Sequence, residues 1–179
     1  YVNMYLVNTP ELGINAATAG LIVAVYWALM MVGRFVGASI GSKVSSRAML
    51  TTVSIATLVL VSFGMFAPTD ITVSVPGIDW ANLQLIWANV PVGIFAFLLV
   101  GLCTSVMWGG IFNMAVEGLG KYTAVASGIF MTMVFGCAVM LAIQAQVAEM
   151  TDYMTSYWVV LFSAAYLLFY ALVGSKVKK

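Results

Sequence analysis

In this chain of 179 residues 63% are hydrophobic and only 7% charged, and the mean hydropathy is +1.07. A soluble domain carries about 25% charged residues, so the composition excludes one and implies an integral membrane protein. The net charge of +1 excludes a general attraction to nucleic acid. With no histidine and two mid-span cysteines, Cys103 and Cys137, neither a metal site nor a cofactor is expected.

In chain order, residues 1–8, YVNMYLVN, are apolar but too short to cross a bilayer, which takes about 20 helical residues. They read as the end of a truncated transmembrane helix, and the chain, which begins at Tyr1, as a fragment of a longer protein. Thr9-Pro10-Glu11-Leu12-Gly13 reads as a turn. Five apolar runs follow, at 17–41, 48–66, 90–116, 123–147 and 155–174, each reaching or nearly reaching spanning length. The expected fold is an all-α membrane bundle with five complete transmembrane helices.

The links between the runs alternate in charge. Lys43 and Arg47, then Lys121, then Lys176, Lys178 and Lys179 in the tail 175–179 mark one side. The other side carries only Glu11, Asp70, Asp79, Glu149 and Asp152. Basic links belong to the cytoplasm, so the tail is placed there and the start of the chain outside. The outer loop 67–89 contains Ile71-Thr72-Val73-Ser74-Val75, which alternates like a short strand entering a turn at Pro76-Gly77. Trp80 and Trp87 flank that turn as interfacial anchors, with ligand capping as a second reading.

Gly33, Gly37 and Gly41 recur every four residues and form a bare stripe suited to close helix packing. Arg34, the one basic residue inside a run, is costly in hydrocarbon unless it reaches the interface or finds a partner, such as Glu117. A substrate role is the second reading for Arg34. All six carboxylates lie in loops or at helix ends, so if this protein moves a solute with a proton, that step resides on a segment outside this chain.

The stretch 105–123, SVMWGGIFNMAVEGLGKYT, combines an indole, a bendable Gly-Gly pair and an amide before the first charge, Glu117. Asn113 follows Gly109 by four residues, on one helical face. A buried amide needs a partner or a water-filled cavity, and an aromatic and amide wall suits a flat polar ligand such as a sugar. Trp108, Asn113 and Gln144, then Trp27 and Asn3, are the candidate binding residues; Tyr26, Asn8 and Gln146 also put polar groups in or near the runs. Packing is the other reading for each, and for Gly109 and Gly110 the two readings are balanced.

No nucleophile elbow, phosphate-binding loop, zinc motif or dinucleotide fingerprint occurs, so an enzyme is not expected. Tyr5-Leu6-Val7-Asn8, the GRFVG of 33–37 with Ser42-Lys43 beyond it, and SVMWGGIFNMAVEGLGKYT followed by Ser127-Gly128 resemble sugar permeases of the major facilitator superfamily. The similar branch is the fucose/galactose/glucose:proton symporters, fucose permease-like, and the resemblance covers the C-terminal half of such proteins. It implies that residues 1–8 end the seventh helix, that the five runs are helices eight to twelve, and that Trp108 lines the sugar cavity. It also implies a sugar and a proton as ligands, an inner-membrane location in the lipid bilayer, and the N-terminal half of the same transporter as partner, with the coupling acids there. The sequence departs from the branch at Gly109-Gly110 and at Phe135-Gly136-Cys137-Ala138, where members carry prolines. A small multi-span structural or assembly protein without transport is the alternative class.

Overall fold

The computed structural model describes residues 1–41, 43–79 and 84–174. Trp80, Ser42 and the tail 175–179 with its three lysines, all used above, lie outside the described residues. The first helix, α1 (Val2–Asn8), closes where Thr9 donates its hydroxyl to the Tyr5 carbonyl at 2.7 Å. A 3-10 turn over Pro10–Leu12 follows, and Gly13 takes the left-handed φ of 59° that reverses the chain. The Asn15 carboxamide then accepts from the Thr18 amide at 2.7 Å, satisfying a donor in the first turn of α2 (Ala16–Gly41).

After a short link, Ser45 caps α3 (Ser46–Phe66) by accepting from the Ala48 amide at 3.3 Å. The chain then leaves the helical layer for an antiparallel hairpin, β1 (Thr72–Asp79) and β2 (Gln84–Pro91), with Val75 opposite Ala88 and Pro76 opposite Trp87. The alternating stretch is therefore a strand from Thr72 onward, but Pro76-Gly77 is not the turn expected: both residues pair with β2, and the strand runs on to Asp79. Strand β2 also takes Val90 and Pro91, the first two residues expected in a helix. Pro91 has no amide proton to continue a ladder, and it serves as the residue before the first turn of α4 (Val92–Val116).

Gly118 and Gly120 adopt φ of 79° and 50°, so α4 ends where the Gly-Leu-Gly-Lys sequence allows a turn. The run expected at 123–147 is two helices, α5 (Thr123–Met133) and α6 (Phe135–Met150). They are parted by a tightened turn in which the Val134 amide reaches back three residues to Met131 at 3.2 Å. The interruption needs no proline. The last helix, α7 (Tyr157–Phe169), runs into a π-helical turn over Tyr170–Gly174.

Five helical segments are long and apolar enough to cross a membrane: Ala16–Gly41, Ser46–Phe66, Val92–Val116, Gly120–Met150 and Tyr157–Gly174. The protein is an all-α membrane protein whose one described departure from helix, the hairpin, lies between spans. Its apolar groups are distributed accordingly. Phe35, Phe66, Phe135 and Phe162 each expose at least 68% of their surface, an arrangement that water would penalise and lipid or a partner helix does not.

The centre of the bundle is α4, which packs against both α2 and α3. Ile94, Phe97, Leu98 and Val100 of α4 join Leu6, Ile22, Val61 and Val90 in one core beneath the hairpin. A second, smaller core at the opposite end unites Leu50, Met107 and Ala171. There the Arg47 guanidinium donates to the Ala171 carbonyl at 2.7 Å and to the Leu172 carbonyl, tying the start of α3 to the end of the chain's last described helix. By contrast α5 buries none of its residues and α6 only Gln144.

Candidate functional site

Where α2 crosses α4, Gly101 leaves room for Tyr26: a Cβ on Gly101 would stand 2.6 Å from the Tyr26 carbonyl oxygen. This close approach brings the Tyr26 hydroxyl to within 3.1 Å of Thr104 Oγ1, with either oxygen able to donate. Thr104 also reaches the Gly101 carbonyl at 3.2 Å. The hydroxyl pair forms part of the wall of an open cavity of about 340 Å³ lined by residues of α1, α2, α3, α4 and α7.

Asn3 and Trp27, both expected from the sequence, line this cavity. The Tyr26 and Trp27 rings meet edge to face at 5.6 Å, and Phe97 and Tyr157, which also line the cavity, stack at 4.3 Å. The space thus offers aromatic faces, one amide and a hydroxyl pair, within the usual size range of small-molecule sites. Indole and phenol rings can cover the apolar face of a pyranose while the amide and hydroxyls exchange hydrogen bonds with its rim.

The other expected residues are elsewhere. Trp108 lies one helical turn beyond Thr104 on the same face of α4, 48% exposed, with its ring 5.3 Å from that of Phe130 on α5. Phe112 meets the same Phe130 at 5.5 Å, so Trp108 and Phe112 form the seam that holds α5. Gln144 is buried and donates to Ser156 Oγ at 3.4 Å where α6 faces the approach to α7, lining neither this cavity nor the next. Its bond to Ser156 meets part of the amide's need for a partner without a water-filled site.

Asn113, Arg34, Gly37, Gly41, Gly109 and Gly110 line a second cavity of about 330 Å³ at the end of the bundle where α2 stops and α3 begins. Beside it Gly33 is buried against α4, and a Cβ there would come 2.7 Å from the Leu102 carbonyl; a Cβ on Gly37 would come 2.9 Å from Val106. Gly41 is looser, with Met49 Sδ at 4.0 Å. Glu117 is the C-terminal cap of α4, and among the described residues no ion pair joins it to Arg34.

The residues expected to form one wall are therefore divided among two cavities and two helix seams. The sequence reading passed over Thr104 and gave Tyr26 no site. Their signals were slight: Tyr26 adjoins Trp27, and Thr104 stands four residues before Trp108. Among the described residues no group of three metal-ligating side chains gathers.

Compared with known proteins, the chain is 27% identical over 172 residues to a glucose/galactose transporter of Brucella abortus, a match covering 96% of this chain and 37% of the relative. It is 26% identical over 170 residues to a putative glucose/galactose transporter of Helicobacter pylori, covering 92% and 37%. The chain thus spans a little over a third of the length of these curated relatives. No family model and no solved structure matches it. The sugar-transporter resemblance carried by residues 33–37 and 105–123 is matched, along nearly the whole chain, by proteins named as transporters of glucose and galactose.

Proposed function

We propose that this chain is the C-terminal half of a major facilitator hexose transporter that works by alternating access, taking glucose, galactose or a 6-deoxyhexose such as fucose together with a proton. The observation that carries the reading is the cavity bounded by Asn3, Trp27 and the Tyr26 and Thr104 hydroxyls. Its aromatic faces and few polar groups suit a sugar better than an ion or an apolar solute. The names of the relatives agree with that class of substrate.

In this reading the bundle rocks against an N-terminal partner bundle around a site near the membrane midplane, so that the sugar meets each side in turn. The chemistry is binding and release, with no covalent step. The carboxylates of this chain stand in its links or at the ends of its helices, away from mid-span, so the proton is carried by acids of the partner bundle. Lys43, Arg47 and Lys121 share one end of the bundle, and Glu11, Asp70 and Asp152 in the links, with Glu149 in the last turn of α6, mark the other. By the excess of basic residues on cytoplasmic loops, the first end faces the cytoplasm of an inner membrane.

The test uses the full-length transporter in proteoliposomes, supplied externally with glucose, galactose or fucose and energised by an imposed proton gradient. Trp27→Ala and Asn3→Ala, inserted at normal levels, are expected to lose most sugar uptake, and Trp108→Ala to weaken it. Wild-type vesicles that take up none of the three sugars, or uptake unchanged in both Trp27→Ala and Asn3→Ala, would overturn the proposal.

A further inference from the structure

The second cavity offers a different chemistry from the first. Arg34 comes from α2, Ser46 from the start of α3, and Ser105 and Asn113 from α4, around about 330 Å³ of space. The Ser105 hydroxyl donates to the Leu102 carbonyl at 2.7 Å, which leaves Arg34, Asn113 and Ser46 as the available donors. Among the described residues the Arg34 guanidinium has no ion pair, and no carboxylate lines the cavity. A cation in such a place, with an amide and a hydroxyl beside it, is matched to an anion bearing several oxygen acceptors.

We propose that this cavity holds the phosphate of an anionic phospholipid. Its depth fits: Arg34 is seven residues from the end of α2, about 10 Å at 1.5 Å per residue, within reach of the headgroup level for a long side chain. Its surroundings fit a lipid better than free phosphate. Phe35, Val36 and Ile40 expose 68%, 49% and 43% of their surfaces on the same two turns of α2 and give acyl chains an apolar track beside the phosphate. Lys43 and Lys121 in the adjoining links raise the local positive potential, the condition under which pockets between spanning helices collect anionic headgroups.

The experiment takes the purified, delipidated full-length protein and follows thermal unfolding by intrinsic fluorescence. The additives are phosphatidylglycerol, phosphatidylcholine or inorganic phosphate at equal concentration, and native mass spectrometry counts retained lipid. Phosphatidylglycerol is expected to raise Tm by roughly 3 °C more than phosphatidylcholine does, with one extra lipid retained. Arg34→Gln should abolish that difference. Gly109→Leu should do the same with Arg34 in place, because a Cβ at Gly109 meets nothing within 4 Å and a larger side chain can fill the cavity without disturbing the helix contact. The proposal falls if the two lipids act alike, if the difference survives in both variants, or if inorganic phosphate reproduces the gain, which would mark a soluble-anion site. It also falls if Arg34→Gln lowers Tm equally under all conditions, the behaviour of an arginine paired with a carboxylate of another bundle. The readouts are independent of sugar uptake, so failure here leaves the transport reading standing.

Discussion

The Tyr26 hydroxyl and Thr104 Oγ1 lie 3.1 Å apart across the crossing of α2 and α4, and among the described residues no other pair of side chains is hydrogen-bonded across that seam. Hydroxyls that satisfy each other can exchange that bond for bonds to a ligand, so neither is left as an unpaired polar group before the exchange.

If a sugar uses this pair, Tyr26→Phe and Thr104→Val should each weaken it by about 1 kcal/mol, near fivefold in apparent affinity. The double variant should lose less than the product of the two, because the pair acts as a unit. Uptake titrations in proteoliposomes check this; strictly multiplicative losses would show two independent contacts.

The glycines of α2 and α4 should separate cleanly by their surroundings. Gly33→Leu drives a side chain into Ser105 and the Leu102 carbonyl and should destabilise the bundle by roughly 1–3 kcal/mol. Gly109→Ala meets nothing within 4 Å and should gain up to about 1 kcal/mol through helix propensity. Thermal unfolding of the detergent-solubilised protein orders the two.

Thr18 is fully buried, and its hydroxyl has no hydrogen-bond partner among the described residues. It presses on Gly77 of the hairpin, where a Cβ would come 2.5 Å from Thr18 Oγ1. Thr18→Val keeps the shape, removes an unsatisfied group and should raise stability by about 1 kcal/mol. Gly77→Val should instead lift the hairpin from α2, seen as faster backbone hydrogen exchange across 72–79.

Arg47 satisfies two carbonyls at the end of α7, at Ala171 and Leu172. Arg47→Ala should cost roughly 2 kcal/mol, as charge-assisted bonds do, and free the turn at 170–174 for proteolysis. Arg47→Lys keeps the charge but not the two-pronged geometry, so it should recover only part of the loss.

Membrane orientation is tested with Cys103 and Cys137 replaced by serine and single cysteines introduced by Lys121→Cys and Asp70→Cys. An impermeant thiol reagent added outside intact cells should label the second and spare the first. The reverse pattern would invert the assignment of sides.

The alternation of basic and acidic links, the five greasy runs and the strand at 71–75 were all readable from the residues in order. Each is a local property: hydropathy over a turn or two, charge at a boundary, or a period of two. The ends of α4 and the capping of α2 and α3 were written likewise in Gly118, Gly120, Asn15 and Ser45, because caps and left-handed turns involve neighbours in the chain.

Which polar groups would share a cavity was not readable, because it depends on how far each helix turns and where it crosses the next. Trp27 and Asn3 share a cavity with Thr104 where Gly101 lets α4 close on Tyr26. Trp108, on the same face as Thr104, is claimed by Phe130 of α5, and Gln144 by Ser156. Along one chain an amide or an indole inside a span announces that it needs a partner. Only the packing of helices far apart in sequence decides whether that partner is another side chain or a ligand.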